Sequence, residues 1–333
     1  MRNSLRSSLI AIVAALAIMA GAPPTLAQQP SVDDILSAVV KIKTFINPDG
    51  RTIGNLGHRR EGSGIVIDDK GHVLTIGYLM VEAHTAEITD INGHIVTAIV
   101  AGYDHDSGFG LLRATAPLKV RAMPFGKSSE LKEREPVLAA SFGGASGVAP
   151  AHIVAKREFT ASWEYQLDEA LFTAPAHSDW SGAALINRAG RLVGVGSLIV
   201  NDATGKNDGV AGNMYVPIDR LAPILATLIE NGRVTGPGRP WLGLSTEELR
   251  GRLFVNRVVP DGPADRAGIK RGDIIVGIDG AAPASLADFY RKVWARGTAG
   301  VTVPLDVLQG SDRKRIEIKS MNRHDHLRLK STF

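Results

Sequence analysis

The sequence predicts a mainly β chain of two domains, and three observations carry that reading. Between about Val39 and Val216, short β-branched runs alternate with Gly, Asp and Asn. Regular short strands with such turns are the pattern of barrels and sandwiches. Three Gly and two Pro then crowd the segment Gly232 to Pro240, the composition of a domain boundary. Beyond it, strand-like and helical segments follow one another, as in an α+β domain. A length of 333 residues suits two such units.

The elements follow in order. Arg2 and Arg6 precede an apolar run from Leu9 to Ala22, and Thr25-Leu26-Ala27 offers small residues for cleavage. This predicts a secretory signal peptide over 1–27, cleaved after Ala27. Pro23-Pro24 cuts the run short of the about 20 apolar residues that a membrane span needs. Ser31 ahead of Asp33-Asp34 marks a helix start. Strands are expected at Gly64 to Asp68, His94 to Val100 and Arg191 to Val195, with turns at Asp49-Gly50 and Asn92-Gly93. Leu221, Ile224, Leu225 and Leu228 share one face of a helix expected from Asp219 to Glu230, stopped at Asn231-Gly232. After the boundary, Leu253 to Val259 and Asp273 to Ile278 read as strands, the second closing on Asp279-Gly280. Ser285 to Ala295 carries apolar residues at helical spacing, and Val301, Val303, Leu305 and Val307 alternate as a half-buried strand. Arg313-Lys314-Arg315 opens a last strand in which Ile316 and Ile318 face inward, so its charges form an exposed edge.

Composition excludes several classes of function. With no cysteine there is neither a disulfide framework nor a thiolate metal site. The net charge of +4 includes Arg2 and Arg6; without them 36 basic residues face 34 acidic ones, a balance that does not point to nucleic acid. His324-Asp325-His326 brings two imidazoles and no third ligand, which predicts a solvated tail and no metal. Phe142-Gly143-Gly144-Ala145 lacks the spacing and the Lys of a phosphate loop and reads as a turn, so no cofactor is expected.

Ser181 stands in Asp179-Trp180-Ser181-Gly182-Ala183-Ala184-Leu185, the setting of a nucleophilic serine. Upstream are Gly62-Ser63-Gly64-Ile65-Val66-Ile67 and Val73-Leu74-Thr75; downstream are Val216-Pro217-Ile218 and Gly232-Arg233-Val234. Together these resemble the HtrA/DegP family of secreted trypsin-like serine proteases with C-terminal PDZ domains. The C-terminal half carries its own signature. Arg239-Pro240-Trp241-Leu242-Gly243-Leu244, Gly262-Pro263-Ala264-Asp265-Arg266-Ala267-Gly268-Ile269 and Arg271-Gly272-Asp273-Ile274-Ile275-Val276-Gly277-Ile278-Asp279-Gly280 resemble an HtrA-type PDZ domain. The resemblance implies a trypsin-like double β-barrel over 31–231, a linker over 232–240, a PDZ domain over 241–322 and a tail over 323–333.

The same alignment of motifs implies a degenerate catalytic triad. Tyr78 occupies the family's histidine position, Gly108 the aspartate position, and Asp179 replaces a glycine of the oxyanion site. A serine hydroxyl is a weak nucleophile without an adjacent base. A phenol with a pKa of about 10 is ionised in only about one molecule in a thousand at pH 7. Loss of concerted triad function costs on the order of 10⁶ in turnover in another serine protease. His84, His105 and His177 are the candidate substitute bases. The implied peptide groove takes a terminal carboxylate on Leu242, Gly243 and Leu244, with Leu286 and Phe289 on the facing helix. The expected function is therefore a periplasmic pseudoprotease that binds unfolded or C-terminal peptides, as an adaptor or regulator in protein quality control. Its rivals are an active endopeptidase using Ser181 with a rearranged base and a structural subunit of a hetero-oligomer. The family implies a homotrimer or association with active relatives.

Overall fold

The structure is a computed structural model that describes residues 31–329; the expected signal peptide lies outside the described residues. Ser31 caps the first helix, α1 (Val32–Ser37), through a reciprocal capping box with Asp34. Six strands then close a barrel: β1 (Val39–Ile46), β2 (Arg59–Val66), β3 (His72–Ile76), β4 (Ala83–Thr89), β5 (Ile95–Tyr103) and β6 (Phe109–Ala114), with the short helix α2 (Ile53–Leu56) between β1 and β2. Their order around the barrel is β1-β2-β3-β6-β5-β4. A second barrel follows, from β7 (Pro136–Ala140), β8 (Val148–Ala161), β9 (Tyr165–Ala174), β10 (Ala184–Ile186), β11 (Leu192–Val200) and β12 (Gly212–Pro217). It closes in the order β10-β11-β12-β9-β8-β7. Closure removes the unpaired edges that a polar-poor sheet would expose.

The two barrels share an apolar seam. Ile65, Leu74 and Phe109 of the first pack in one cluster with Leu167, Phe172, Leu192 and Val216 of the second. The helix expected from Asp219 to Glu230 is shorter than its spacing predicts. A 3-10 turn spans Ile218–Arg220, and α3 (Leu225–Asn231) begins only after Pro223. Proline supplies no N–H and restricts the residue before it, so the helix cannot run through. Leu221 and Leu228 are nevertheless buried and Gly232 ends the helix in the left-handed conformation.

The last domain is a five-stranded sheet in the order β13-β14-β15-β16-β17: β13 (Leu244–Leu249), β14 (Arg252–Val258), β15 (Ile274–Ile278), β16 (Thr302–Gln309) and β17 (Asp312–Lys319). Helix α4 (Pro263–Arg266) precedes β15, and α5 (Leu286–Trp294) follows it, capped by the Ser285 side chain. Val303, Leu305, Val307 and Ile318 are fully buried, as their alternation predicts. The tail departs from expectation. Its described part, to residue 329, is not solvated but forms α6 (Arg323–His326) and returns to the first barrel. Leu327 and Leu329 pack on that barrel's core, the Arg328 N–H donates to Glu82 Oε1 at 2.7 Å, and Asn47 Nδ2 donates to Arg328 O at 3.0 Å. Apolar residues after α6 make burial worth more than chain freedom there.

Candidate functional site

Ser181 sits where the barrels meet. Its carbonyl accepts the Ser63 N–H of β2 at 2.8 Å, tying the serine loop of one barrel to a strand of the other. Gly182 follows at φ +74, and a Cβ there would lie 2.0 Å from Ser63 O. Only glycine permits this approach. Thr75, buried on β3, donates to the same Ser63 carbonyl at 2.8 Å. The serine side chain is thus delivered to the cleft by backbone contacts that need no catalytic partner.

Tyr78 lies on the 3-10 turn Gly77–Leu79 that follows β3. Arg60 holds that turn from below, its Nη1 donating to Tyr78 O at 2.7 Å and to Val81 O at 3.1 Å. The phenol Oη stands 2.8 Å from Ser181 Oγ and also donates to Ser197 O at 2.8 Å. A carbonyl can only accept, so the single phenolic proton goes to Ser197. Ser181 must then be the donor in its bond to Tyr78. Burial pushes the Tyr78 pKa up to about 12, with the bond to Ser181 opposing it. At pH 7 only about one phenol in 10⁵ is ionised on that value. The tyrosine therefore presents Ser181 with a neutral oxygen of almost no basicity.

Gly108 has φ +83, and its carbonyl accepts the Gly77 N–H at 2.7 Å, beside the Tyr78 turn. A Cβ at position 108 would lie 2.7 Å from Tyr165 Oη, which instead donates to Ser107 O at 2.9 Å. A side chain at this position is disfavoured by backbone conformation and crowded by the phenol above it. Asp179 is exposed on the loop before Ser181.

His105 and the His177 backbone are held by other partners. His105 is buried, with Nδ1 3.0 Å from Tyr103 Oη and Nε2 2.6 Å from Arg323 Nη1. Burial, seconded by Arg323, holds its pKa well below the usual histidine value. The His177 backbone is clamped to Asn213 on β12 by bonds of 2.6 and 3.0 Å, and its Nε2 is buried without a partner. Burial again lowers its pKa, with Asp179 opposing. His84 lies on β4, after Ala83, which pairs with Ile46 of β1.

The expected groove residues divide by burial. Leu242, Leu244 and Phe289 are buried within the core of the last domain, while Leu286 is only partly buried against it. The three backbone N–H groups are engaged. Leu242 N–H donates to Glu164 Oε2 at 2.9 Å, and the Gly243 and Leu244 N–H groups donate to Glu164 Oε1 at 2.7 and 2.8 Å. Glu164 belongs to the β8–β9 hairpin, 78 residues before Leu242. From the same hairpin, Ser162 O accepts the Thr246 N–H of β13 at 2.8 Å. Tyr290 Oη on α5 lies 2.9 Å from both Ala161 O and Ser162 O, and accepts the Glu164 N–H at 3.0 Å. Ser162, Glu164 and Tyr290 are site residues that sequence reasoning missed. The only local sign is an acidic residue at the tip of a hairpin, at φ +56.

Comparison with known proteins agrees with this architecture. Residues 62–195 match the trypsin-like peptidase domain family and residues 240–320 the PDZ domain family. A probable periplasmic serine protease do/HhoA-like of Haemophilus influenzae is 27% identical over 286 residues, covering 81% of this chain and 60% of that protein. The periplasmic serine endoprotease DegP of Escherichia coli is 26% identical over 272 residues, covering 77% of this chain and 56% of that protein. The chain thus spans about three fifths of the length of these relatives. The HtrA-type protease AlgW with decapeptide superposes with a TM-score of 0.52 at 22% identity, covering 88% of this chain and 99% of that one, a likeness of fold. The two matched domains in this order, the HtrA/DegP relatives and the barrel-barrel-sheet architecture support an HtrA-family protease fold for this chain.

Proposed function

We propose that this chain is a non-proteolytic HtrA/DegP-family protein of the periplasm that binds unfolded or C-terminal peptides through its PDZ domain. The observation that carries the first half is the 2.8 Å bond between Tyr78 Oη and Ser181 Oγ. It fills the base position with a group that neither accepts the serine proton nor holds a cation. Gly108 supplies no carboxylate to compensate one, and the exposed Asp179 opposes negative charge at the oxyanion position. The periplasmic setting rests on the expected signal peptide and on relatives described as periplasmic. Peptide binding rests on the PDZ match and on three backbone N–H groups converging on a carboxylate.

The test is incubation of the processed protein with a fluorophosphonate probe and with unfolded casein. The expected outcome is no labelling and no cleavage above the Ser181→Ala variant. Labelling or cleavage that Ser181→Ala abolishes would establish a working endopeptidase and defeat the reading.

A further inference from the structure

We infer that the tip of the β8–β9 hairpin, Ser162-Trp163-Glu164, is an internal ligand of the PDZ groove, with the Glu164 side chain standing in for a peptide's terminal carboxylate. This rests on the reading of the groove as a peptide site and adds what governs it.

Both halves of strand-addition recognition are present in the contact. A carboxylate is received by consecutive backbone N–H groups, here Leu242, Gly243 and Leu244. An extended peptide also bonds to the adjoining strand, here Ser162 O accepting from Thr246 N–H of β13. The facing helix completes the clamp through Tyr290, whose hydroxyl bonds to the hairpin backbone at Ala161, Ser162 and Glu164. The contact is buried: Glu164 is 5% exposed and Tyr290 1% exposed. No second carboxylate can reach the three N–H groups while Glu164 holds them, since each N–H is already spent on a carboxylate oxygen.

The internal ligand is imperfect in a way that permits displacement. Burial pushes the Glu164 carboxyl up to about 6, the bonds from Leu242 and Leu244 and the charge of Arg323 offsetting only part of it. Glu164 also holds a positive φ of 56, disfavoured for a side chain with a Cβ. A peptide with a free C-terminus avoids that backbone cost and brings the same carboxylate. The groove therefore opens by exchange of one carboxylate for another, and the hairpin sets the affinity threshold that an incoming peptide must exceed. The exchange also reaches the degenerate triad. Tyr165, the next residue, rests its hydroxyl over Gly108, so withdrawing the hairpin uncovers that position.

The test uses the processed chain, its Glu164→Gln variant, and fluorescein-labelled decapeptides ending in Val, Leu or Phe, each as free acid and as C-terminal amide. Anisotropy is read alongside hydrogen exchange at the Leu242, Gly243, Leu244 and Thr246 amides. At least one free acid is expected to bind Glu164→Gln about ten-fold or more tighter than the native chain, with the amide binding neither, and the four amides are expected to exchange faster in the variant. Equal affinity for native chain and variant overturns the internal ligand and leaves the groove as a peptide site. Binding to neither, with the four amides protected only in the native chain, overturns the peptide reading and sustains the internal ligand. Binding to neither with equal exchange overturns both. Should Glu164→Gln fail to fold, Tyr290→Phe removes the hydroxyl from the hairpin backbone and is read by the same criteria.

Discussion

Tyr78 is held by two bonds through one oxygen, and that fixes what substitution does there. Tyr78→Phe removes the donor to Ser197 O and the acceptor for Ser181. Loss of two such partly buried bonds is expected to cost about 1–3 kcal/mol, measured as a lowered urea midpoint at unchanged slope. Tyr78→His restores an imidazole but places it beside Gly108, with no carboxylate to fix its tautomer. No proteolysis of casein is expected from that variant; measurable turnover would show that Gly108 is not the second defect. Tyr78, Gly108 and Asp179 can be singled out from the sequence because each sits inside a motif of fixed spacing. The bond from Ser181 to Tyr78 cannot, because position says nothing of where a phenolic proton goes.

Elements show where local signals suffice and where they fail. The α5 boundaries follow from the Ser285 cap and the apolar spacing, and Ser285→Ala is expected to cost about 1 kcal/mol in chemical unfolding. The 219–230 helix failed because apolar spacing was read without the break at Pro223. The tail failed for a different reason: α6 is only four residues long and owes its place to tertiary contacts. His326 is buried against Trp241, ring centroids 4.8 Å apart, with Nε2 unpartnered. Burial, seconded by the Arg51 charge, pushes its pKa down to about 4. The folded chain prefers the neutral ring, so this contribution is complete above the unfolded value of about 6.5 and lost as pH falls through 4. Exchange at the Arg328 amide is expected to accelerate over that window in the native chain, and to stay slow in His326→Phe. A pH-independent native profile would remove His326 from that role.

At the scale of the molecule, the PDZ domain is joined to the barrels three times over: by the linker, by the β8–β9 hairpin and by the returning tail. Two of those joints lie far apart in sequence. Glu164 meets Leu242 across 78 residues and Asn47 meets Arg328 across 281, distances over which no periodicity carries information. The fold of each domain was legible; their attachment was not. Three joints predict that the native chain unfolds in one transition. Glu164→Ala combined with removal of 323–333 is expected to split it into two, followed by calorimetry. A single transition in that double variant would place the coupling elsewhere.

The phenol of Tyr165 over Gly108 also couples two positions to mutation. Placing an aspartate at 108 requires that this hydroxyl move first, and its neighbour Glu164 is anchored in the groove. The packing between two neighbouring turns thus makes the side chain tolerated at 108 depend on where the hairpin sits.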